Sequence, residues 1–401
     1  MNSTMRLAYL DPHPVPGNET ESLQILQMVD ALGNSGAEVH VIAPHPPQPL
    51  TAANILGHEL SPRVQFHPLP NLRARWGGPF GSNRIFFWLA NRRLNTLTVD
   101  ALLVRNLKLA ARLLRRPAAS RIPLFFDTHE LFANTFQEEN PNPSLRQRFK
   151  LRQLRRLERG VYARADGLIC TTSHLKEDID QSYRLSTPAL AAPLGYDARL
   201  AAAALGEAAL PPNQPPVLLF LGSLHPWKGL STLLEAMVQV EGALLKIVGG
   251  DGARHQVLQQ QARALGVAAK IQWVPAIPPA ERFRMIRTAD ICLLPLSHRT
   301  IASRYTSPLK LFEYMGMGKP IITADLPSMR LLLSHGTHAL LTEAENPTAL
   351  AAAIQTLLND PPLARQLATA ARQQAKHYSW ESRAAGMLTF MAKQMTKANR
   401  V

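Results

Sequence analysis

Several residues in the second half of the chain have the types and spacing that suit binding of a phosphate group. The segment SPLKLFEYMGMGKPIIT covers Ser307–Thr323, and its Pro308 fits the first turn of a helix. The backbone N–H groups of Leu309 and Lys310 would then be free to meet an anion. Glu313 follows one turn later, where a carboxylate can bind the hydroxyl pair of a ribose. The segment predicts a diphosphate cradle, the alternative being an ordinary helix with a charged first turn.

A second segment, FLGSLHPWKGLSTLLEA, covers Phe220–Ala236 and has the same character. A predicted strand ends at Gly222, Ser223 opens the following loop, and Lys228 precedes the next predicted helix. A lysine ammonium at this point can neutralise a leaving diphosphate. The Walker A pattern GxxxxGK[ST] is absent, so the sequence does not predict a P-loop.

A third segment, IVGGDG, covers residues 247–252 and ends a predicted strand in Gly249 and Gly250. It lacks the GxGxxG spacing that holds a dinucleotide pyrophosphate. The sequence therefore does not favour hydride transfer with a nicotinamide or flavin dinucleotide.

Short apolar runs alternate with helical patterns along both halves of the chain, which predicts an α/β protein with parallel sheets covered on both faces. Strands are predicted at residues 6–10, 38–44, 64–70, 100–106, 122–128, 166–173, 216–222, 244–250, 271–275, 290–296, 320–324 and 339–342. The expected architecture is two doubly wound Rossmann-like domains facing a central cleft.

The boundary between the two domains is predicted from a change in composition. Residues 198–215 are rich in alanine and then in proline, and show no periodic core pattern, so they are interpreted as a linker. The first domain is predicted at 1–197 and the second at 216–378. A closing helix over 379–401 is predicted to return to the first domain.

In this order and spacing, the three segments resemble the donor-binding domain of the glycosyl transferases group 1 family. This is the retaining family four, with the glycosyltransferase-B fold. The patterns that carry the resemblance are G-S-L-x-x-x-K-G and S-P-L-K-L-F-E-Y-M-x-x-G-K-P-I. The resemblance implies a hexosyltransferase that moves a sugar from a nucleotide-sugar donor to an acceptor, for example a lipid-linked acceptor or a cell-envelope glycan. It implies no cofactor and no metal, the nucleotide sugar being a substrate.

The resemblance also implies roles for individual residues. Lys228 matches the phosphate-binding lysine, Glu313 the second acid of an E-x7-E motif that holds the ribose, and His129 a histidine that contacts the transferred sugar. These three are the predicted catalytic residues. The implied donor-binding set is Gly17, Asn18, Gly222, Ser223, Lys228, Gly249, Gly250, Tyr305, Ser307, Pro308, Leu309, Lys310 and Glu313.

Two positions depart from the family pattern. Tyr305 stands where the first acid of E-x7-E is expected, and Ser223 stands where a basic residue is common. Arg299 or Arg304 is the candidate to supply the missing positive charge.

The charge distribution predicts an anionic partner for the first domain. The chain has a net charge of +15, and residues 63–164 hold 20 Lys and Arg against 6 Asp and Glu. Within this region, 143–164 reads as a basic helix with an apolar stripe, and 83–93 adds Phe86, Phe87 and Trp88. The predicted acceptor or membrane face comprises Arg84, Arg92, Arg93, Arg152, Arg155, Arg156 and Arg159. The alternative is a solvated helix that packs on its own domain.

The remaining composition suggests where the protein acts and which other functions compete. No apolar run reaches the roughly 18 residues of a spanning helix, and the N-terminus lacks a secretory pattern, which favours a cytoplasmic protein. The basic charge of the first domain adds the hypothesis that it docks on the inner face of the membrane as a peripheral protein. A nucleotide-sugar epimerase on the same fold is one alternative. A catalytically dead basic scaffold or nucleic-acid-binding protein is another, although no nucleic-acid module is recognisable and the aromatic content is only 6%.

Overall fold

The computed structural model describes residues 4–46, 50–71, 83–117, 120–250 and 252–398. The chain divides into two compact units. One comprises 1–193 together with 380–401, and the other comprises 194–379.

The first unit is built on a seven-stranded parallel sheet with the strand order β3-β2-β1-β4-β5-β6-β7. The strands are β1 Arg6–Leu10, β2 Glu38–Pro44, β3 Val64–Leu69, β4 Ala101–Val104, β5 Leu124–Thr128, β6 Gly167–Cys170 and β7 Ala189–Ala191. The helices are α1 Thr20–Asn34, α2 Ala52–Leu56, α3 Asn83–Leu94, α4 Leu107–Leu113, α5 Phe132–Glu139, α6 Leu145–Tyr162 and α7 Ser173–Tyr183.

The second unit is built on a six-stranded parallel sheet with the strand order β10-β9-β8-β11-β12-β13. Its strands are β8 Val217–Leu221, β9 Leu244–Val248, β10 Ile271–Val274, β11 Ile291–Leu294, β12 Ile321–Ala324 and β13 Leu340–Thr342. Its helices are α8 Ala198–Gly206, α9 Leu230–Ala236, α10 Gly252–Ala264, α11 Arg282–Arg287, α12 Leu309–Gly316, α13 Pro327–Arg330, α14 Pro347–Asn359 and α15 Pro361–Ala375.

Each sheet has one point where the strand order reverses. In the first unit it lies between β1 and β4, and in the second between β8 and β11. At such a point the loops leaving the carboxyl ends of the two strands diverge and open a crevice, which is where open α/β sheets bind ligands. Ligand-binding residues are therefore expected in the loops that follow β1, β4, β8 and β11.

The structure confirms the α/β class with two doubly wound sheets. All twelve predicted strands are present, shortened by no more than a few residues where the prediction ran into the following loop. The central strands are buried along nearly their whole length, which explains their continuous apolar runs. Strand β7 was not predicted because its three residues, Ala189–Ala191, form too short a run and include no β-branched or aromatic residue.

The prediction of an irregular linker over 198–215 is wrong in its first half. Residues Ala198–Gly206 form helix α8, whose first turn is capped by the Asp197 carboxylate through the N–H groups of Arg199 and Leu200. Alanine is the best helix former, so an alanine-rich stretch can be helical without a strong apolar period. The chain passes into the second unit at Leu194 rather than after the predicted linker.

The last helix, α16 Trp380–Ala398, belongs to the first unit. It packs against α1 and β6, and the Phe390 ring meets the Phe125 ring edge-on at 6.1 Å between centroids. Gly167 makes room for this contact, because a Cβ there would lie 2.7 Å from the Phe390 ring.

Candidate functional site

The N-terminus of α12 and its neighbours form a cluster of charged side chains in the second unit. Glu313 is fully buried, and its Oε1 accepts a hydrogen bond from Arg282 Nε at 2.5 Å. Lys310 Nζ donates to Glu313 Oε2 at 3.2 Å. Arg282, from α11, is also buried, and its Nη1 donates to the Pro279 carbonyl at 2.5 Å. One carboxylate is thus held between two cations, and Arg282 was not foreseen.

This arrangement bears on the predicted ribose-binding role of Glu313. Both carboxylate oxygens already receive a charged donor, and the side chain is 1% exposed. A carboxylate has about four lone-pair positions, so each oxygen can accept a further hydrogen bond. The ribose role stays a prediction, and it requires the nucleotide to share Glu313 with Arg282 and Lys310.

Lys228 lies at the end of a 3-10 turn, Pro226–Lys228, that follows β8. The next residue, Gly229, has φ +73°, and a Cβ there would lie 1.5 Å from the carbonyl oxygen of Pro295. Only glycine permits this approach, which presses the turn against the loop after β11. The Lys228 ammonium lies 3.9 Å from the centre of the Trp227 ring.

The electrostatic environment of Lys228 is unusual for a lysine. Burial, and then the positive charge of Lys310, lower its pKa from the ordinary value to about 7. Lys310 and Arg282 both pair with the buried carboxylate of Glu313, and the positive charge of Lys310 also acts on Lys228. An anion brought to this cluster would relieve the repulsion between the two lysines.

The backbone around this cluster offers further anion-binding geometry. Helix α12 begins at Leu309, with Pro308 as its N-cap and no side-chain cap bond within the described part of the chain. The first N–H groups of a helix carry a partial positive charge. The loops after β8 and β9 touch, because Gly249 has φ +117° and a Cβ there would lie 2.5 Å from the Gly222 carbonyl oxygen. Gly250 and the exposed Ser223 complete these loops.

Two of the predicted donor-binding residues are buried. Tyr305 is 2% exposed, in the π-helical turn Ile301–Tyr305. Ser307 is buried, and its Oγ accepts a hydrogen bond from the N–H of Leu194 at 2.8 Å. The structure therefore gives both residues packing or anchoring contacts, and their contact with a donor sugar stays a prediction. Arg299 is exposed and Arg304 is half-buried in the same loop.

The first unit has a pocket of about 350 Å³ at the carboxyl ends of its strands. Its lining includes Asp11, His13, Glu21, Asn83, Arg105, Asn106, Leu107, Lys108, Asp127, His129, Glu130, Phe132, Leu154 and Leu157. His129 follows β5, and its Nε2 lies 3.5 Å from Asp127 Oδ2. Burial, and then the charge of Arg105, lower the pKa of His129. His129 is thus a mostly neutral imidazole at neutral pH.

Several pocket residues were not predicted although the strand-end rule could have found them. Asp11 follows β1 and Arg105 follows β4, on either side of the reversal in strand order. His13 Nδ1 lies 2.7 Å from Asp11 Oδ1, and this hydrogen bond raises the pKa of His13. The predicted donor-binding residues Gly17 and Asn18 lie between β1 and α1, with Gly17 buried and Asn18 exposed.

The basic surface of the first unit differs in part from its prediction. Helix α6 starts with a capping box formed by Ser144 and Gln147. The four arginines Arg152, Arg155, Arg156 and Arg159, named here the basic helix face, are all exposed. The opposite stripe lines the pocket through Leu154 and Leu157, so the stripe packs on its own unit.

The prediction that the aromatic residues of 83–93 belong to a membrane-facing surface is largely wrong. Phe86 and Phe87 are 8% and 7% exposed, because α3 turns them into the core, whereas Trp88 is 54% exposed. Arg92 lies over the Trp88 ring at 5.8 Å, and Arg93 contacts His67 Nδ1 at 2.9 Å. Arg84 lies in the same helix and is exposed. The large exposed apolar side chains of α6 are Leu145 and Phe149, at 83% and 63%, which the sequence reasoning missed.

The described residues contain no group of three or more His, Cys, Asp or Glu side chains arranged to hold a metal ion. Within the same residues, none of the helices combines the length and the apolar character that crossing a bilayer requires.

Comparison with known proteins identifies two family models along the chain. The model described as Glycosyl transferases group 1 matches residues 206–374, and the model described as Glycosyltransferase Family 4 matches residues 23–199. Together they cover both units except for their ends.

Curated relatives carry glycosyltransferase names. The D-inositol 3-phosphate glycosyltransferase of Rhodococcus erythropolis is 27% identical over 301 residues, 69% of this chain and 64% of the relative. The enzyme of the same name from Segniliparus rotundus is 30% identical over 194 residues, 47% of this chain and 42% of the relative. The chain thus spans less than two thirds of the length of these relatives.

Solved structures share the fold over nearly the whole chain. Sucrose-phosphate synthase from Thermosynechococcus elongatus superposes with a TM-score of 0.76 at 19% identity, covering 98% of this chain and 100% of that one. Anabaena HepE in complex with UDP-glucose superposes with a TM-score of 0.70 at 17% identity, covering 96% and 99%. The glycosyltransferase WaaG superposes with a TM-score of 0.67 at 14% identity, covering 96% and 99%. At these identities the likeness establishes the fold.

Proposed function

Because the chain belongs to the glycosyl transferases group 1 family, we propose that it is a retaining glycosyltransferase that moves a hexosyl group from a nucleotide sugar to an acceptor. The observation that carries this proposal is the cation cluster of Lys228 and Lys310 beside the N-terminus of α12. Such a cluster fits a diphosphate better than it fits a neutral ligand.

The proposed chemistry breaks the bond between the anomeric carbon and the diphosphate oxygen. Negative charge then develops on the β-phosphate while the sugar gains oxocarbenium character. Lys228 and the N–H groups of Leu309 and Lys310 would stabilise that charge, since they are fixed before the reaction begins. This set of positive groups supports a mechanism without an essential metal.

The donor is proposed to be a UDP-linked hexose. HepE of Anabaena, which shares the fold, has been solved with UDP and with UDP-glucose. UDP-glucose is therefore the first donor to test. In the proposal, Glu313 binds the ribose, and Gly222, Ser223, Gly249 and Gly250 border the nucleotide.

The acceptor is proposed to bind the first unit through the pocket that contains His129, which would contact the transferred sugar. The surface near this pocket suits a membrane, because Leu145 and Phe149 are exposed on the same helix as the basic helix face. We place the acceptor at or in an anionic membrane, as a lipid-linked molecule or a cell-envelope glycan. The competing case is a soluble anionic acceptor.

The two rival functions make different demands on the same residues. The segment Ser307–Thr323, which lies inside the group 1 match at residues 206–374, favours the transferase over the epimerase. A catalytically dead scaffold remains compatible with Tyr305 at the position of the first motif acid, and predicts no turnover of any donor. Turnover of a nucleotide-sugar donor would therefore distinguish an active transferase from a catalytically dead scaffold.

The test is a panel of UDP-, GDP- and ADP-linked hexoses, screened by thermal shift and then by release of nucleoside diphosphate. Lys228→Ala should reduce turnover of the preferred donor by at least a hundredfold while leaving nucleoside binding intact. Lys376→Met, at an exposed lysine of the second unit, is the matched control. A Lys228→Ala variant with wild-type kcat would contradict the phosphate role.

A further inference from the structure

Arg383, in the first turn of α16, lies in a buried ionic contact inside the first unit. Its side chain is 2% exposed, and its Nη2 donates to Asp127 Oδ1 at 2.8 Å. Its Nη1 donates to the carbonyl oxygens of Ala192 and Pro193, the residues just before the chain leaves this unit. The last helix thus returns a guanidinium to a strand end that lies 256 residues earlier in the sequence.

The carboxylate that Arg383 holds also faces the predicted catalytic histidine. Asp127 ends β5 and is 4% exposed, and its second oxygen, Oδ2, lies 3.5 Å from His129 Nε2. Burial acts to raise the pKa of Asp127, but Arg383 and then His129 hold it well below its usual range. One charged carboxylate therefore connects the guanidinium with the imidazole.

Stability alone does not account for this contact. A buried ion pair loses about as much in desolvation as it gains in attraction, and apolar replacements of both partners are often neutral or stabilising. The position of the pair is more informative, because Asp127 borders the pocket and receives one hydrogen bond from a guanidinium that two backbone carbonyls hold in place.

We propose that Arg383 is a positioning residue for sugar transfer: it fixes the Asp127 carboxylate, which in turn orients the His129 imidazole toward the pocket. The inference rests on the proposed function, in which His129 contacts the transferred sugar. The Asp127 carboxylate lies 3.5 Å from one ring nitrogen of His129, a position from which a carboxylate can select the tautomer and the ring orientation of an active-site histidine.

The charges around His129 determine what removal of Arg383 should do. Burial, then the charge of Arg105 and, to a smaller degree, that of Arg383 lower the pKa of the imidazole, whereas Asp127, 3.5 Å away, raises it. The other charged or titratable groups of the pocket are Asp11, His13, Glu21, Lys108 and Glu130. Without Arg383, Asp127 loses its cationic partner and His129 loses a nearby positive charge. Both changes favour the protonated imidazole, so the pKa of His129 should rise.

The test is a titration of ¹³Cε1-labelled histidine followed by NMR, with the His129 signal assigned from His129→Gln. In Arg383→Met the pKa of His129 should rise clearly, and in Arg383→Lys it should stay near the wild-type value. Lys393→Met, an exposed position on the same helix, is the matched control and should leave the titration unchanged. An unchanged His129 titration in folded Arg383→Met overturns the proposal.

Kinetics supply the second readout. Arg383→Met should lower kcat about tenfold or more, leave KM for the donor unchanged, and move the acidic limb of the pH profile to higher pH. A purely structural role would lower the melting temperature without moving that limb. If Arg383→Met does not fold, the double variant Arg383→Met/Asp127→Asn removes both charges, and the proposal expects it to fold with the same loss of kcat.

The two readouts separate this inference from the proposed function. A shifted His129 titration with unchanged kcat overturns the positioning role. A shifted titration in a protein that turns over no nucleotide sugar contradicts the proposed function and leaves the Arg383–Asp127–His129 coupling established.

Discussion

Binding of a nucleoside diphosphate should draw a proton onto Lys228. Burial and the charge of Lys310 lower the pKa of this lysine to about 7 in the free protein. A diphosphate beside the ammonium favours its charged form, so the pKa should rise toward its ordinary value when the ligand binds. Binding and proton uptake are then linked.

The size of the effect follows from the shifted pKa. At pH 8 a lysine with a pKa of about 7 is protonated in roughly one molecule in eleven, so binding should take up about 0.9 proton. Between pH 7 and pH 8.5 the apparent affinity should fall about fifteenfold, or about 1.6 kcal/mol. Phosphate groups titrate near pH 6, so UDP itself contributes little in this window.

The assay is isothermal titration calorimetry with UDP at pH 8 in buffers of different ionisation enthalpy, which yields the number of protons taken up. Lys228→Met should show weaker binding and no uptake from this site, whereas Lys376→Met should behave as wild type. Uptake near zero at pH 8 in the wild-type protein, with UDP bound, would refute the assignment of Lys228 to the diphosphate.

Three further predictions concern the ribose, the sugar and the membrane. Glu313→Gln should weaken UDP binding about tenfold or more, measured by calorimetry, because a charged hydrogen-bond acceptor is lost; it should also lower the melting temperature, since Arg282 loses its buried counter-charge. An unchanged UDP dissociation constant would remove the ribose role. His129→Ala should retain UDP affinity and lose transfer, and a variant with wild-type kcat would contradict its contact with the sugar. Replacing the basic helix face with glutamine should reduce co-sedimentation with anionic vesicles at low salt, because each basic residue near such a surface contributes about 1 kcal/mol. Equal binding of the wild type to anionic and neutral vesicles would leave the soluble acceptor as the surviving case.

The parts of the molecule that could be predicted from sequence are those encoded by neighbouring residues. Buried parallel strands read as apolar runs, so every strand of the second sheet and all but β7 of the first were predicted. Lys228 was located because it follows a predicted strand within one loop, and the Leu309 helix start because Pro308 fits a first helical turn. Only the structure shows why residue 229 is a glycine: the loop after β8 approaches the loop after β11 too closely there for a Cβ atom.

What could not be predicted depends on contacts between distant segments. The Arg282–Glu313 pair joins residues 31 apart, and the Arg383–Asp127 pair joins residues 256 apart. Neither arginine carries a local pattern, since a buried arginine looks like a solvated one until its partner is known. The membrane-facing prediction for Phe86 and Phe87 was wrong for the same reason. An apolar run on a basic helix does not show which side of the helix packs against the core.

The most direct test of the central claim is the anomeric configuration of the product. The protein would be incubated with UDP-α-glucose and an acceptor, or with water as a slow acceptor, and the first product formed would be observed by ¹H NMR. The account predicts an α-linked product or α-glucose, released together with UDP and lost in Lys228→Ala. A β-configured first product would contradict retention, and the absence of donor consumption across the whole nucleotide-sugar panel would contradict the proposed transferase itself.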